Sequence, residues 1–353
     1  MADQKKLAIV VGAGASKEYS FPIGSELKQH IVDLLDIRFE HRTRQQSGDY
    51  LIMEAFRLIC RPDNADPNDF LYASWRIRDS LPQAPSIDQF IHTQRGDRRI
   101  EVCGKLAIAR AILQAESQSS LYIRRDGSRA SIDFEGTQNE WLDALFRVVI
   151  DGCIAEELGD RFSAISLIVF NYDRSIEHYL FHALRNYYKI SEARAAELIG
   201  QIRIFHSYGA VGELPWQNPF DHVAYGADPS AEQLISLKDR IKTFTEGTDP
   251  DASDLARIRA ALGFAPRVLF LGFAYHQLNL NLLVPQMTPP EGGSRRVIGT
   301  ALGLSAADCA EIRAELGAMF QCPPDQVQLR NDLTAAGAFA EYTRALSFRG
   351  LER

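Results

Sequence analysis

Short, largely apolar runs recur along the chain, the first of them unbroken, and each ends in glycine or a polar loop. Leu7-Ala8-Ile9-Val10-Val11 opens into Gly12-Ala13-Gly14-Ala15-Ser16, and Ala164 to Phe170 opens into Asn171-Tyr172-Asp173. Ile202 to Phe205 opens into His206, and Arg267 to Leu271 into Gly272. Such runs predict strands buried on both faces, the signature of a parallel sheet. Val297 to Thr300 predicts one more strand.

Helical spacing fills the intervals. Ser25 to Leu35 sets Leu27, Ile31, Leu34 and Leu35 on one face, with Ser25 as N-cap and Pro22 and Gly24 in the preceding loop. Ser175 to Tyr188, Ser191 to Gly200, Ala231 to Phe244 and Thr334 to Phe348 also read as helices. From about Gln45 to Asp160 helical patterns predominate, including Tyr50 to Cys60 and Gly104 to Ala115, with loops at Arg61 to Asn68 and Asp126 to Gly136. Within this stretch Ser86-Ile87-Asp88-Gln89-Phe90-Ile91 reads as a capped packing helix, with Ser86 or Asp88 near its start and Ile87, Phe90 and Ile91 on one face.

Strands alternating with helices predict an α/β fold, a Rossmann-like doubly wound parallel sheet with a mostly helical insertion. Residues 1–44 and 160–330 form the sheet domain, 45–159 the insertion and 331–353 a C-terminal helix. Ligands of such sheets collect beyond the carboxyl ends of the strands. The polar and glycine-rich loops named above stand at those ends.

Composition narrows the class of protein. A chain of 353 residues, 46% hydrophobic and 24% charged, can bury a sizeable core. Neither a signal-type apolar region nor a run of membrane-spanning length occurs, so a cytoplasmic protein without membrane contact is expected. Five widely spaced cysteines, never in C-x-x-C, argue against a disulfide framework and a zinc ribbon. A net charge of -7 disfavours nonspecific nucleic-acid binding, a local basic strip at Arg95 to Arg99 notwithstanding. A protein or small-molecule partner is expected instead.

In the Gly12 to Ser16 turn, glycines can take positive φ and bring backbone N–H groups to a diphosphate at the head of a helix. The turn is equally compatible with no nucleotide: Lys17 stands where G-x-G-x-x-G has its last glycine, and no strand-borne acidic residue is placed to read a ribose. Asn171 can hold a water or ribose hydroxyl through its amide, and Asp173 can orient neighbours or favour developing positive charge. Both residues also suit an Asx-type cap on the helix that follows. His206 can act as a base near neutral pH, with Gly209 leaving room for a ligand. Gly272, Phe273 and Asn279 read either as lining for an adenosine moiety or as a glycine turn before a helix from Asn279 to Leu283.

Taken together, Gly12-Ala-Gly-Ala-Ser16, Phe170-Asn-Tyr-Asp173, His206 with Gly209, and Gly272-Phe-Ala-Tyr-His-Gln-Leu-Asn279 resemble the sirtuin-like NAD-cleaving domains of bacterial antiphage defence systems. The resemblance spans roughly residues 5 to 285 and includes the Ser86 to Ile91 helix. It implies that Gly12, Ala13, Gly14, Ala15 and Ser16 embrace the diphosphate and nicotinamide ribose. It further implies that Asn171 holds the attacking water or ribose, Asp173 supports that geometry, and His206 stands by the ribose hydroxyls. Phe170, Gly209, Gly272, Phe273 and Asn279 then belong to the nucleotide site. The chain departs from sirtuin deacylases in lacking zinc-ribbon cysteine pairs and in reading Lys17-Glu-Tyr-Ser-Phe-Pro-Ile-Gly24 after the glycine turn. It departs from the defence group where Ser207 and Tyr208 precede Gly209.

The activity so implied is hydrolysis of NAD, used as substrate without a metal, to nicotinamide and ADP-ribose by a homo-oligomeric antiphage effector that depletes cellular NAD. A HerA-like ATPase or Argonaute-like protein is the implied partner. The alternatives are a non-catalytic NAD or ADP-ribose sensor that regulates a partner ATPase and a protein deacylase.

Overall fold

A computed structural model of the chain describes residues 7–41, 43–124, 131–242, 246, 254–285 and 295–348. The apolar runs form strands: β1 (Leu7–Val11), β4 (Ile165–Val169), β5 (Arg203–His206), β6 (Arg267–Leu271) and β7 (Arg296–Thr300). Two short polar strands, β2 (Arg38–Glu40) and β3 (Arg44–Ser47), pair as a separate antiparallel hairpin, and β8 (Val327–Arg330) closes the chain's strand series. The main sheet is wholly parallel in the order β5-β4-β1-β6-β7-β8. Renumbered by appearance within that sheet, this is 3-2-1-4-5-6, the doubly wound order whose direction reverses between the first and fourth strands. The chain therefore has the Rossmann-like α/β architecture expected from its alternation of apolar runs and helices.

Alternate side chains of each strand feed two cores. Ala8, Val10, Ile168, Phe205, Phe270 and Val297 face one, and Leu7, Ile9, Val11, Leu167, Val169 and Leu271 face the other. All five side chains of β1 are buried. Each large aliphatic side chain so buried stabilises the fold by roughly 1.5–3 kcal/mol, which fixes the register because a one-residue slip would exchange the two faces.

The first core is covered by the helices Gly24–Leu35, Tyr50–Cys60, Asn68–Ser80, Ile87–Thr93 and Arg98–Gln118. The insertion is thus helical but shares a core with the sheet. Trp141–Ile150, grouped with the insertion by sequence, and Leu158–Ser163, which straddles the expected boundary at 160, lie on the opposite face beside Ser175–Tyr188, and the C-terminal Ala335–Glu341 joins them there. Arg174 and Glu116 weld insertion to sheet. Arg174 Nε donates to Glu116 Oε1 at 3.0 Å, the Gly226 N–H donates to Glu116 Oε2 at 2.9 Å, and the guanidinium also reaches the carbonyls of Glu213 and Val223. Both side chains are fully buried, and this many partners is what a buried ion pair requires.

Several boundaries differ from those the sequence suggests. Ser25 lies inside its helix: the helix starts at Gly24, and the Glu26 carboxylate accepts the Ile23 N–H at 3.0 Å in place of a serine cap. His206 is the last residue of β5, and the helix expected from Asn279 begins at Gln277. The C-terminal helix is two short pieces, Ala335–Glu341 and Thr343–Leu346. Residues 1–6, residues 125–130, which include the start of the expected Asp126 to Gly136 loop, the end of the expected Ala231 to Phe244 helix and residues 349–353 lie outside the described residues. All five cysteines are buried and unbridged. Among the described residues no helix is long and apolar enough to cross a membrane.

Candidate active site

The switch point lies where the loops after β1 and β6 meet, and they meet through glycines. A Cβ on Gly12 would lie 2.6 Å from the Gly272 carbonyl oxygen, and one on Gly14 would lie 2.9 Å from Gly272 Cα. Gly272 takes φ +55°, a conformation that disfavours a side chain, and its own Cβ would fall 2.0 Å from the Ala15 nitrogen. The contact is sealed by Gly12 N–H to Leu271 O and Gly14 N–H to Gly272 O, both 2.9 Å, while the Ala15 N–H donates to Gly12 O at 3.0 Å. Three of the N–H groups expected to cradle a diphosphate are therefore engaged within the protein. The glycines' direct effect is close approach of two backbones.

Beside this junction opens a cleft lined by Gly12, Ala13 and Ser16, by Phe170 to Asp173, by Tyr208, Phe273 and Asn279, and by Pro85 to Gln89 of the insertion. Its cavity volume of about 210 Å³ compares with roughly 10–15 Å³ for one water, so it suits a ligand of many heavy atoms. Phe170 packs edge-on against Tyr208 and Phe273, at ring distances of 5.7 and 5.0 Å, making one wall aromatic. The Tyr208 hydroxyl donates to Asn279 Oδ1 at 2.6 Å, holding the first residues of the helix Gln277–Leu283 against that wall.

The polar wall is built on Asn171, just beyond β4. Its Nδ2 donates to Ser16 Oγ at 2.7 Å and to Gly12 O at 3.2 Å. Because a backbone carbonyl only accepts, this fixes which end of the amide is nitrogen. Asn171 Oδ1, by contrast, is buried with no partner among the described residues. A buried acceptor in that condition is destabilising by about 1–3 kcal/mol until a donor reaches it. Asp173 carries two jobs: Oδ2 accepts from Ser16 Oγ at 2.9 Å, and Oδ1 accepts the Ser175 N–H at 3.0 Å at the head of its helix. The Asx-type cap and the site role are thus compatible in one residue.

His206 is not brought into the cleft. Its neighbours in register alternate: Phe205 pairs with Ile168 and faces the cleft-side core, whereas His206 pairs with Val169 and points to the other side. There Nε2 lies 2.8 Å from Glu177 Oε1 and Nδ1 lies 3.3 Å from the Asn171 carbonyl. Carbonyl and carboxylate oxygens accept, so the surroundings favour the imidazolium, in which both ring nitrogens donate. Burial works against that charge, but Glu177 and the Asn171 carbonyl outweigh it and hold the His206 pKa above its ordinary value. Burial likewise opposes ionisation of Glu177, yet His206 keeps its pKa below the usual carboxylate range. His206 therefore meets the site through the Asn171 backbone and not through the cleft lining.

Gly14, Ala15, Gly209 and Gly272 also lie outside the lining. Gly209, at φ +74°, would put a Cβ 1.9 Å from the Arg240 carbonyl oxygen, so it serves the crossing of two chain segments. Reasoning from sequence missed Asp88, read there as part of a packing helix. The insertion folds it over the cleft, where it accepts from the Tyr172 hydroxyl across 84 positions of sequence. Burial raises its pKa, and the Tyr172 hydrogen bond opposes that rise. The sequence signal for it was the Ser86 cap, whose Oγ accepts the Gln89 N–H at 3.1 Å and so fixes where the helix begins.

Fold and site together define a Rossmann-like α/β protein with a cleft at its topological switch point. Comparison with family models and with curated proteins finds no match to this chain.

Proposed function

We propose that the chain binds NAD in the switch-point cleft and hydrolyses the bond between nicotinamide and ribose. The observation that carries this reading is the unpartnered, buried Asn171 Oδ1 beside the glycine junction. It is an acceptor held rigidly by Ser16 and Gly12, suited to orient a water by one of its hydrogens. The water oxygen attacks C1′ of the nicotinamide ribose as the cationic leaving group departs neutral. Positioning a nucleophile in this way, and placing the Asp173 carboxylate where positive charge spreads over the ribose, supplies the acceleration. The aromatic wall of Phe170, Tyr208 and Phe273 suits a planar base. In this reading the protein acts as an antiphage effector that depletes NAD, switched on by self-assembly or by a partner ATPase.

A second reading, a sensor that binds NAD or ADP-ribose without cleaving it, is favoured by the position of His206 outside the cleft and by the engaged N–H groups of the glycine turn. Incubating the purified protein with NAD, alone and with partner proteins, and resolving nicotinamide and ADP-ribose by chromatography separates the two. Stoichiometric appearance of both products is expected. Saturable NAD binding with the dinucleotide intact would establish the sensor.

A further inference from the structure

Hydrolysis of NAD releases a proton, and neither Asn171, His206 nor Asp173 is placed to take it. Asn171 can accept a hydrogen bond but does not hold a proton near neutral pH. His206 lies outside the cleft with both ring nitrogens bonded. Asp173 lines the cleft, but each of its oxygens already accepts from the protein, one from Ser16 and one from the Ser175 N–H. His276 lines it on the β6 side, exposed at the head of the helix Gln277–Leu283. The other carboxylate of the lining is Asp88, and it is tied by hydrogen bond to Tyr172, the residue next to Asn171.

We propose that Asp88 is the proton acceptor of the reaction, an assignment that rests on the hydrolase reading above. The water oxygen bonds to C1′, the C1′–N bond breaks with its electron pair passing to nicotinamide, and the water's proton passes to the Asp88 carboxylate and then to solvent. The placement is rigid, as proton transfer needs. Ser86 caps the helix Ile87–Thr93, and Ile87, Phe90 and Ile91 are buried beneath it. Ile91 fills the space over Gly104, where a Cβ would lie 2.6 Å from its Cδ1. A carboxyl whose pKa burial has raised is also a stronger base than an exposed one, and the hydrogen bond from Tyr172 opposes that rise.

The test compares wild type, Asp88→Asn and Tyr172→Phe by nicotinamide release from pH 5 to 9, with ADP-ribose affinity measured by calorimetry. Asp88→Asn is expected to lower kcat by on the order of 10²–10⁴, to keep ADP-ribose affinity within a few-fold, and to erase the acidic limb of the pH profile. Tyr172→Phe removes the hydrogen bond that lowers the Asp88 pKa, so that limb should move to higher pH. An active wild type with Asp88→Asn retaining kcat, or losing affinity alone, overturns this assignment and leaves the hydrolase standing. An acidic limb unmoved by Tyr172→Phe overturns it too. A wild type that binds ADP-ribose but releases no nicotinamide overturns both.

Discussion

Replacing Gly272 by alanine should loosen the junction that forms one side of the cleft. The added methyl would lie 2.0 Å from the Ala15 nitrogen and 2.3 Å from the Gly14 carbonyl carbon, both backbone atoms that no rotamer change can move. Restoring ordinary contact near 3.5 Å requires the two loops to separate by about 1.5 Å. That breaks the Gly14 N–H to Gly272 O bond and strains the Gly272 N–H to Thr300 Oγ1 bond of 2.8 Å. Each bond contributes about 0.5–1.5 kcal/mol, and positive φ in a residue with a Cβ is destabilising by about 1–2 kcal/mol, giving about 2–5 kcal/mol together. With an unfolding entropy of about 2.1 cal/mol/K per residue, a chain of 353 residues should lose roughly 3–7 °C in Tm. Gly303→Ala is the matched control, since Gly303 has φ +86° with no atom near its would-be Cβ. It should lose only the backbone share. Thermal melts by circular dichroism and ADP-ribose binding by calorimetry decide the matter. A Gly272→Ala protein that melts no lower than Gly303→Ala and binds ADP-ribose as wild type does would refute the junction's role.

Two further substitutions probe the buried charges. The His206 contribution to stability is fully present below its ordinary pKa of 6.5 and fades as pH rises through its raised folded value. That of Glu177 is present above its ordinary 4.5 and fades as pH falls through its lowered one. Glu177→Gln should therefore lower Tm most between those two ordinary values and least at high pH; a Tm difference that widens toward pH 9 would count against the pair. Arg174→Met leaves Glu116 buried without its cation and should destabilise by about 3–5 kcal/mol in urea unfolding, much of it recovered when Glu116→Leu is added. A single Arg174→Met change within 1 kcal/mol of wild type, on the scale of an exposed pair, would contradict the weld between insertion and sheet.

What the sequence could disclose followed from burial. β1, β4 and β6 are legible because every side chain but the first of β6 is buried, which leaves runs that are apolar apart from Ser166 and the leading Arg267. β8 is an edge strand whose residues alternate between buried and half-buried, and the short run Val327-Gln328-Leu329-Arg330 carries little hydrophobic signal. β2 and β3 are polar throughout apart from Phe39, so their pairing leaves almost none. In the site, the strand-end rule locates Asn171 and His206 at neighbouring positions, but which of them enters the cleft depends on strand parity. One residue of register separates Phe205, on the cleft-side core, from His206, which turns to Glu177. Asp88 was illegible for another reason: its place over the cleft depends on how the insertion folds back, and local periodicity reports only the buried face of Ile87, Phe90 and Ile91.

The most direct test of the account is nicotinamide release by Asn171→Ala beside wild type, with ADP-ribose binding and the melting curve measured on the same preparations. Removing the amide takes away the acceptor that orients the water but leaves the glycine junction and the aromatic wall in place. Turnover should fall on the order of a hundredfold or more, while ADP-ribose still binds and the fold stays cooperative. A folded Asn171→Ala protein that releases nicotinamide at the wild-type rate would remove Asn171 from the chemistry and with it the central claim.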